Sequence, residues 1–161
     1  MHLLIKSYTL HLQRLLASGE ATGIVGYPFH PDLHHDVPDK KAGIYRIFKA
    51  GSDSHTSIYV GQSSPVSLKS RLIQHRDRSS NNGSTLKKLL EESGACTDAV
   101  EFFRSECRFQ FVVVDEVAAQ EWGLETPQVA RTFFEDFAVA ILQPAFFRNG
   151  RRVRPGSTPA G

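Results

Sequence analysis

Five side chains of the 161-residue sequence combine types and spacing that could do chemistry: Tyr45, Tyr59, Arg71, His75 and Glu135. Arg71 and His75 stand four residues apart, which places them on one face of a helix. Arginine offers a permanently charged planar fork that matches phosphate oxygens. Glu135 can hold a hydrated Mg²⁺, which prefers oxygen ligands and keeps several waters. Hydrolysis of a phosphodiester needs a cation for the nonbridging oxygens, a metal carboxylate and a proton acceptor, and this set contains all three. The phenols are the harder part. A tyrosine with the ordinary pKa of about 10 is a poor base near neutrality, so the Tyr45 pKa must fall or its proton must move elsewhere. Each residue also has a plainer reading: packing tyrosines in a hairpin, a solvated helix face for Arg71 and His75, and an ordinary helix carboxylate beside Asp136 for Glu135.

The elements that must position these groups are legible in outline. Residues 43–49 and 57–61 are β-branched and aromatic, and a polar loop between them predicts a hairpin. Leu68, Leu72 and Ile73 predict a helix over 67–78; a polar breaker at 79–84 and a short helix through Leu86, Leu89 and Leu90 follow, the latter ending near Gly94. The run from Phe109 to Val114 predicts a central strand. Thr126 and Pro127 open a last helix in which Phe134, Phe137, Ala138 and Ile141 recur at helical spacing before Pro144 stops it. Glu135 falls at the edge of that apolar stripe, where a side chain can reach a cleft.

At the N-terminus, Leu4, Tyr8, Leu12, Leu15 and Leu16 predict a helix with Ser7 as its cap and Gly19 at its end. Three prolines and several histidines then predict an irregular arm up to residue 41. The order of elements implies an α+β fold, a small three-stranded, mainly antiparallel sheet flanked by helices. The length suits one domain, divided into an N-terminal helix and arm (1–37), a core (38–149) and a basic, flexible tail (150–161).

Composition narrows the classes. With 40% hydrophobic and 22% charged residues, and no apolar run near the ~20 residues of a membrane span, the sequence reads as globular, with no membrane partner. Cys96 and Cys107 are too few for a disulfide framework and read as reduced thiols. The absence of a secretory pattern at the start predicts a cytoplasmic protein. His30, His34 and His35 lack a fourth zinc ligand at useful spacing and read as surface residues. The net charge of +2 conceals segregation. Residues 69–88 carry six cations against Asp77, residues 91–136 carry eleven acids against three arginines, and four arginines follow Pro144. Lys69, Arg76, Arg78, Lys87, Lys88, Arg151 and Arg152 could therefore face a polyanion, or simply form a solvated surface.

Gly43-Ile44-Tyr45 and Tyr59-Val60-Gly61, with thirteen residues between the two tyrosines, are followed in order by Arg71, His75, Glu135 nine residues before Pro144, and Asn149. Over residues 38–149 this series resembles the GIY-YIG nuclease family. Val60 stands where the family name has isoleucine, and Asn149 follows Pro144 at a longer interval than is usual in that family. The resemblance implies a Mg²⁺- or Mn²⁺-dependent endonuclease that cuts DNA, expected to be double-stranded, to leave a 5′-phosphate and a 3′-hydroxyl; a homodimer is the further partner considered. It further implies that Tyr45 acts as general base or positions the water, with His75 taking the proton onward. Tyr59 would contact phosphate or orient the water, Glu135 would bind the metal, and Asn149 would hold the site by hydrogen bonds. The alternatives are a nucleic-acid-binding module of the same fold without turnover, and a protein-interaction domain. Gly43 and Gly61 would serve close backbone approach or merely end strands, while Gln62 and Ser63 would touch phosphate or begin a turn.

Overall fold

The computed structural model of the protein describes residues 2–19, 26–31, 36–51, 56–63, 66–77, 85–147 and 150–151, with backbone alone at 2, 3, 150 and 151. Arg78, Asn149, Arg152, His34 and His35 lie outside the described residues, as do residues 79–84, the side chain of Arg151 and residues 152–161.

The three strands expected from sequence form the centre of the sheet. Strand β2 (Gly43–Lys49) lies between β3 (Tyr59–Gln62) and β4 (Cys107–Val113), antiparallel to both. Six of the seven β2 residues are buried, as a strand covered on both faces requires. The sheet is larger than three strands, however. Two-residue strands extend it: β1 (Tyr27–Pro28) against β4, β5 (Phe146–Phe147) parallel to β3, and β6 (Gly150–Arg151) against β5. The result is a mixed six-stranded sheet in the order β1-β4-β2-β3-β5-β6. Pairs this short carry no period of their own; tertiary contact makes them. Two expectations change with them. The arm before residue 41 supplies an edge strand and the buried Phe29 and Val37, and the basic tail begins as a strand.

Helices lie on both faces. The alternation of β2 sends Tyr45 and Ile47 into a core with α2 (Leu68–Arg76), α3 (Thr85–Glu92) and α4 (Ala99–Glu106), through Leu68, Leu72, Leu90, Phe102 and Phe103. Ile44 enters the opposite core, made with α1 (His2–Ala17), α5 (Glu116–Glu121) and α6 (Pro127–Leu142), through Leu12, Leu15, Trp122, Phe134 and Ala138. Helix α1 begins at His2, so Ser7 lies inside it and is not its cap. Ser67 caps α2 by accepting from the Ser70 amide, and Thr126 caps α6 with Pro127 in its first turn, as the sequence predicts. Phe103 and Phe134 are fully buried, each worth ~1.5–3 kcal/mol, and they fix how α4 and α6 sit on the sheet. No helix among the described residues is long and apolar enough to cross a membrane.

Candidate active site

The two motif glycines are where backbone and side chain come too close for a methyl group. A Cβ at Gly43 would run into the Val112 carbonyl on β4. A Cβ at Gly61 would meet the Tyr59 phenol, with Cζ and Oη both at 2.8 Å. Gly61 faces Tyr45 across the β2–β3 pair, so the Tyr59 ring folds back over the glycine and comes to lie beside Tyr45, centroid to centroid 5.7 Å. Close approach, one of the two readings that the sequence left open, is the one found at both positions. Ser63 has a third role that the sequence did not suggest. Fully buried, it accepts the Gly43 amide on Oγ at 3.0 Å, while its own amide donates to the Gly43 carbonyl at 3.0 Å. It pins the start of the first motif.

Tyr45 and His75 meet in the core. Both are almost wholly buried, and Tyr45 Oη shares a 2.8 Å hydrogen bond with His75 Nε2. The Tyr59 ring lies 6.2 Å from the imidazole, and Phe103 packs against it at 5.8 Å. Burial is the chief force on both groups. It pushes the Tyr45 phenol well above its ordinary pKa; the Tyr59 phenol and the Glu135 charge push the same way, while Arg71 pulls it down. Burial, then the charges of Arg71 and Lys87, lower the His75 pKa to about 3, so the imidazole is neutral at physiological pH.

Arg71, on α2, donates from Nη1 to Gln74 Oε1 at 3.1 Å, and its buried Nε has no hydrogen-bond partner among the described residues. An unmet guanidinium donor of this kind suits an anion. Glu135 comes from α6, on the opposite face of the sheet, yet its charge reaches Tyr45. The helical wheel placed Glu135 at the edge of a stripe; it is in fact 2% exposed. Thus β2, β3 and α2 bring Tyr45, Tyr59 and His75 into contact, and the charges of Arg71 on α2 and Glu135 on α6 act on the Tyr45 phenol. Among the described residues no three His, Cys, Asp or Glu side chains gather to hold a metal. The donor set offers one hard carboxylate. That suits a Mg²⁺ ion completed by water and substrate phosphate rather than an all-protein cage.

Among the described residues, the cations of 69–88 are largely turned to the protein. Lys69 pairs with Asp39, and Arg76 with Asp77 and the carbonyls of His30 and Pro31. Lys87 bonds two carbonyls at the end of α2, while Lys88 projects into solvent near Glu92. Sequence reasoning missed α4, which supplies Phe103 behind His75. Its signal was Asp98 followed three residues later by Glu101, and the Asp98 carboxylate does accept the Glu101 amide. Neither a protein-family model nor a curated protein nor a solved structure matches this chain.

Proposed function

We propose that the chain is a metal-dependent endonuclease of GIY-YIG type, hydrolysing DNA phosphodiester bonds by attack of water. The observation that supports this most is the buried Tyr45–His75 hydrogen bond, formed within reach of the charges of Arg71 and Glu135. A structural tyrosine needs none of these neighbours. Arg71 would grip the scissile phosphate, its unmet Nε giving one of the two donors that a bidentate grip needs. Tyr45 is protonated at rest, so it is no phenolate base awaiting substrate. It would orient the water and take a proton only as its own passes to Nε2 of His75, a transfer that the low imidazole pKa opposes in the resting site. Tyr59, beside it, would contact the phosphate. Glu135 would hold Mg²⁺ or Mn²⁺, which when bound supplies positive charge to the phosphate oxygens and acidifies water.

One observation favours a second reading, a DNA-binding module without turnover: the resting phenol pKa is raised, the opposite of what a free base needs. Incubation of supercoiled plasmid with the protein, with and without Mg²⁺, separates the two. The nuclease nicks and linearises it with the metal only; the module shifts it in a gel and leaves it intact.

A further inference from the structure

The last carbonyls of a helix have no partner within it. At the end of α2 the Ile73 carbonyl accepts the Asp77 amide, and the carbonyls of Gln74 and Arg76 are taken by side chains from two other helices. Lys87 of α3 donates from Nζ to the carbonyls of Gln74 at 2.8 Å and Asp77 at 2.7 Å. Arg104 of α4 donates from Nε to the Arg76 carbonyl at 3.0 Å, and its Nη2 lies 3.6 Å from the Asp77 carboxylate. Helix α2 has nine residues, too few to be stable alone, and it carries both Arg71 and His75.

We infer that Lys87 is a positioning residue of the site, clamping the end of α2 so that Arg71 and His75 stay against Tyr45, and is not a contact to nucleic acid. Its ammonium is directed at two main-chain carbonyls, each a charge-assisted hydrogen bond. The same charge acts on the His75 imidazole and helps to keep it neutral. The adjacent Lys88, with a side chain 75% exposed, shows what a solvent-directed lysine looks like on this helix. The catalytic consequence rests on the nuclease reading; the clamp itself does not.

The test compares the full-length protein with Lys87→Met and Lys87→Arg in three measurements: amide hydrogen exchange, cleavage of supercoiled plasmid in Mg²⁺, and the salt dependence of affinity for a duplex oligonucleotide. Lys87→Met is expected to speed exchange of the amides of residues 74–77 about tenfold or more, as loss of bonds to a charged donor implies. The cleavage rate at saturating DNA should fall about tenfold, with KM changed less than twofold and the salt slope unchanged. Lys87→Arg, which keeps charge and donors, should recover most of the rate. Unchanged exchange at residues 74–77 would overturn the clamp. So would a salt slope flattened by about 0.9 in Lys87→Met, the signature of one lost phosphate contact. A Lys87→Arg variant as slow as Lys87→Met would overturn it too. If the wild-type protein leaves plasmid uncut, the nuclease reading is what has failed, and the exchange measurement still decides the clamp.

Discussion

The phenol of Tyr59 rests on Gly61, two residues further along the same strand, at a distance that leaves no room for a β-carbon. The glycine is therefore a seat for a side chain and not a flexible joint. Gly61→Ala should push the ring out of the site while barely disturbing the strand, because the displaced group is a partly exposed ring and alanine lowers the entropy of the unfolded chain by ~0.4–1 kcal/mol. The expected outcome is a near-normal Tm with cleavage at least tenfold slower. Normal cleavage would show that the Tyr59 position does not matter.

Gly43 presents the contrary case. There the obstacle is the backbone of β4 at Val112, which cannot swing aside without opening the central ladder. Gly43→Ala should lower stability by more than the ~1–3 kcal/mol set by one orphaned buried group, the loss expected of Ser63→Ala, which strands the Gly43 amide. Urea unfolding of the two variants checks the order. A Gly43→Ala protein as stable as wild type would contradict the close approach.

His75 gives a pH signature. In the folded protein it binds its proton only near pH 3; in the unfolded chain it does so near the ordinary 6.5. Between these values the unfolded state holds more protons, so this contribution is complete above pH 6.5 and is lost as pH falls toward 3. Urea unfolding between pH 7 and 4 should show stability falling by at most about 1.4 kcal/mol per pH unit from this group, and His75→Gln should flatten that limb. Equal slopes in the two proteins would mean that the imidazole is not desolvated.

Tyr45→Phe deletes one hydroxyl and keeps the ring. It should lower the single-turnover cleavage rate by ~10²-fold or more, the usual loss of a positioned proton-transfer group, with DNA affinity close to wild type. An equal loss of affinity and rate would make Tyr45 a phosphate contact.

What the sequence could and could not tell follows from where each signal resides. Strands β2 to β4 were legible because Ile44, Ile47, Phe109 and Val112 are β-formers in short runs, and α6 because Phe134 and Ala138 repeat at helical spacing behind a Thr-Pro cap. In α4 the adjacent Phe102 and Phe103 blur the period, and both are buried because the helix is wedged beneath α2 and α3. Strands β1, β5 and β6 exist only through partners distant in sequence. At the site, residue types and order singled out Tyr45, Tyr59, Arg71, His75 and Glu135 as candidates. Their burial could not be read, nor the bond between residues thirty positions apart that joins Tyr45 to His75. Charge counts likewise could not say which way a lysine turns: Lys87 and Lys88 are neighbours with opposite fates.

The most direct test of the account is the Mg²⁺ dependence of supercoiled plasmid cleavage, compared between wild type and Glu135→Gln, a near-isosteric change at a buried carboxylate. The account predicts nicking by wild type that appears with Mg²⁺ and vanishes with chelator. It predicts no cleavage by a folded Glu135→Gln protein that still binds the plasmid. Intact plasmid with wild type at every Mg²⁺ and Mn²⁺ concentration, or undiminished cleavage by Glu135→Gln, would contradict it.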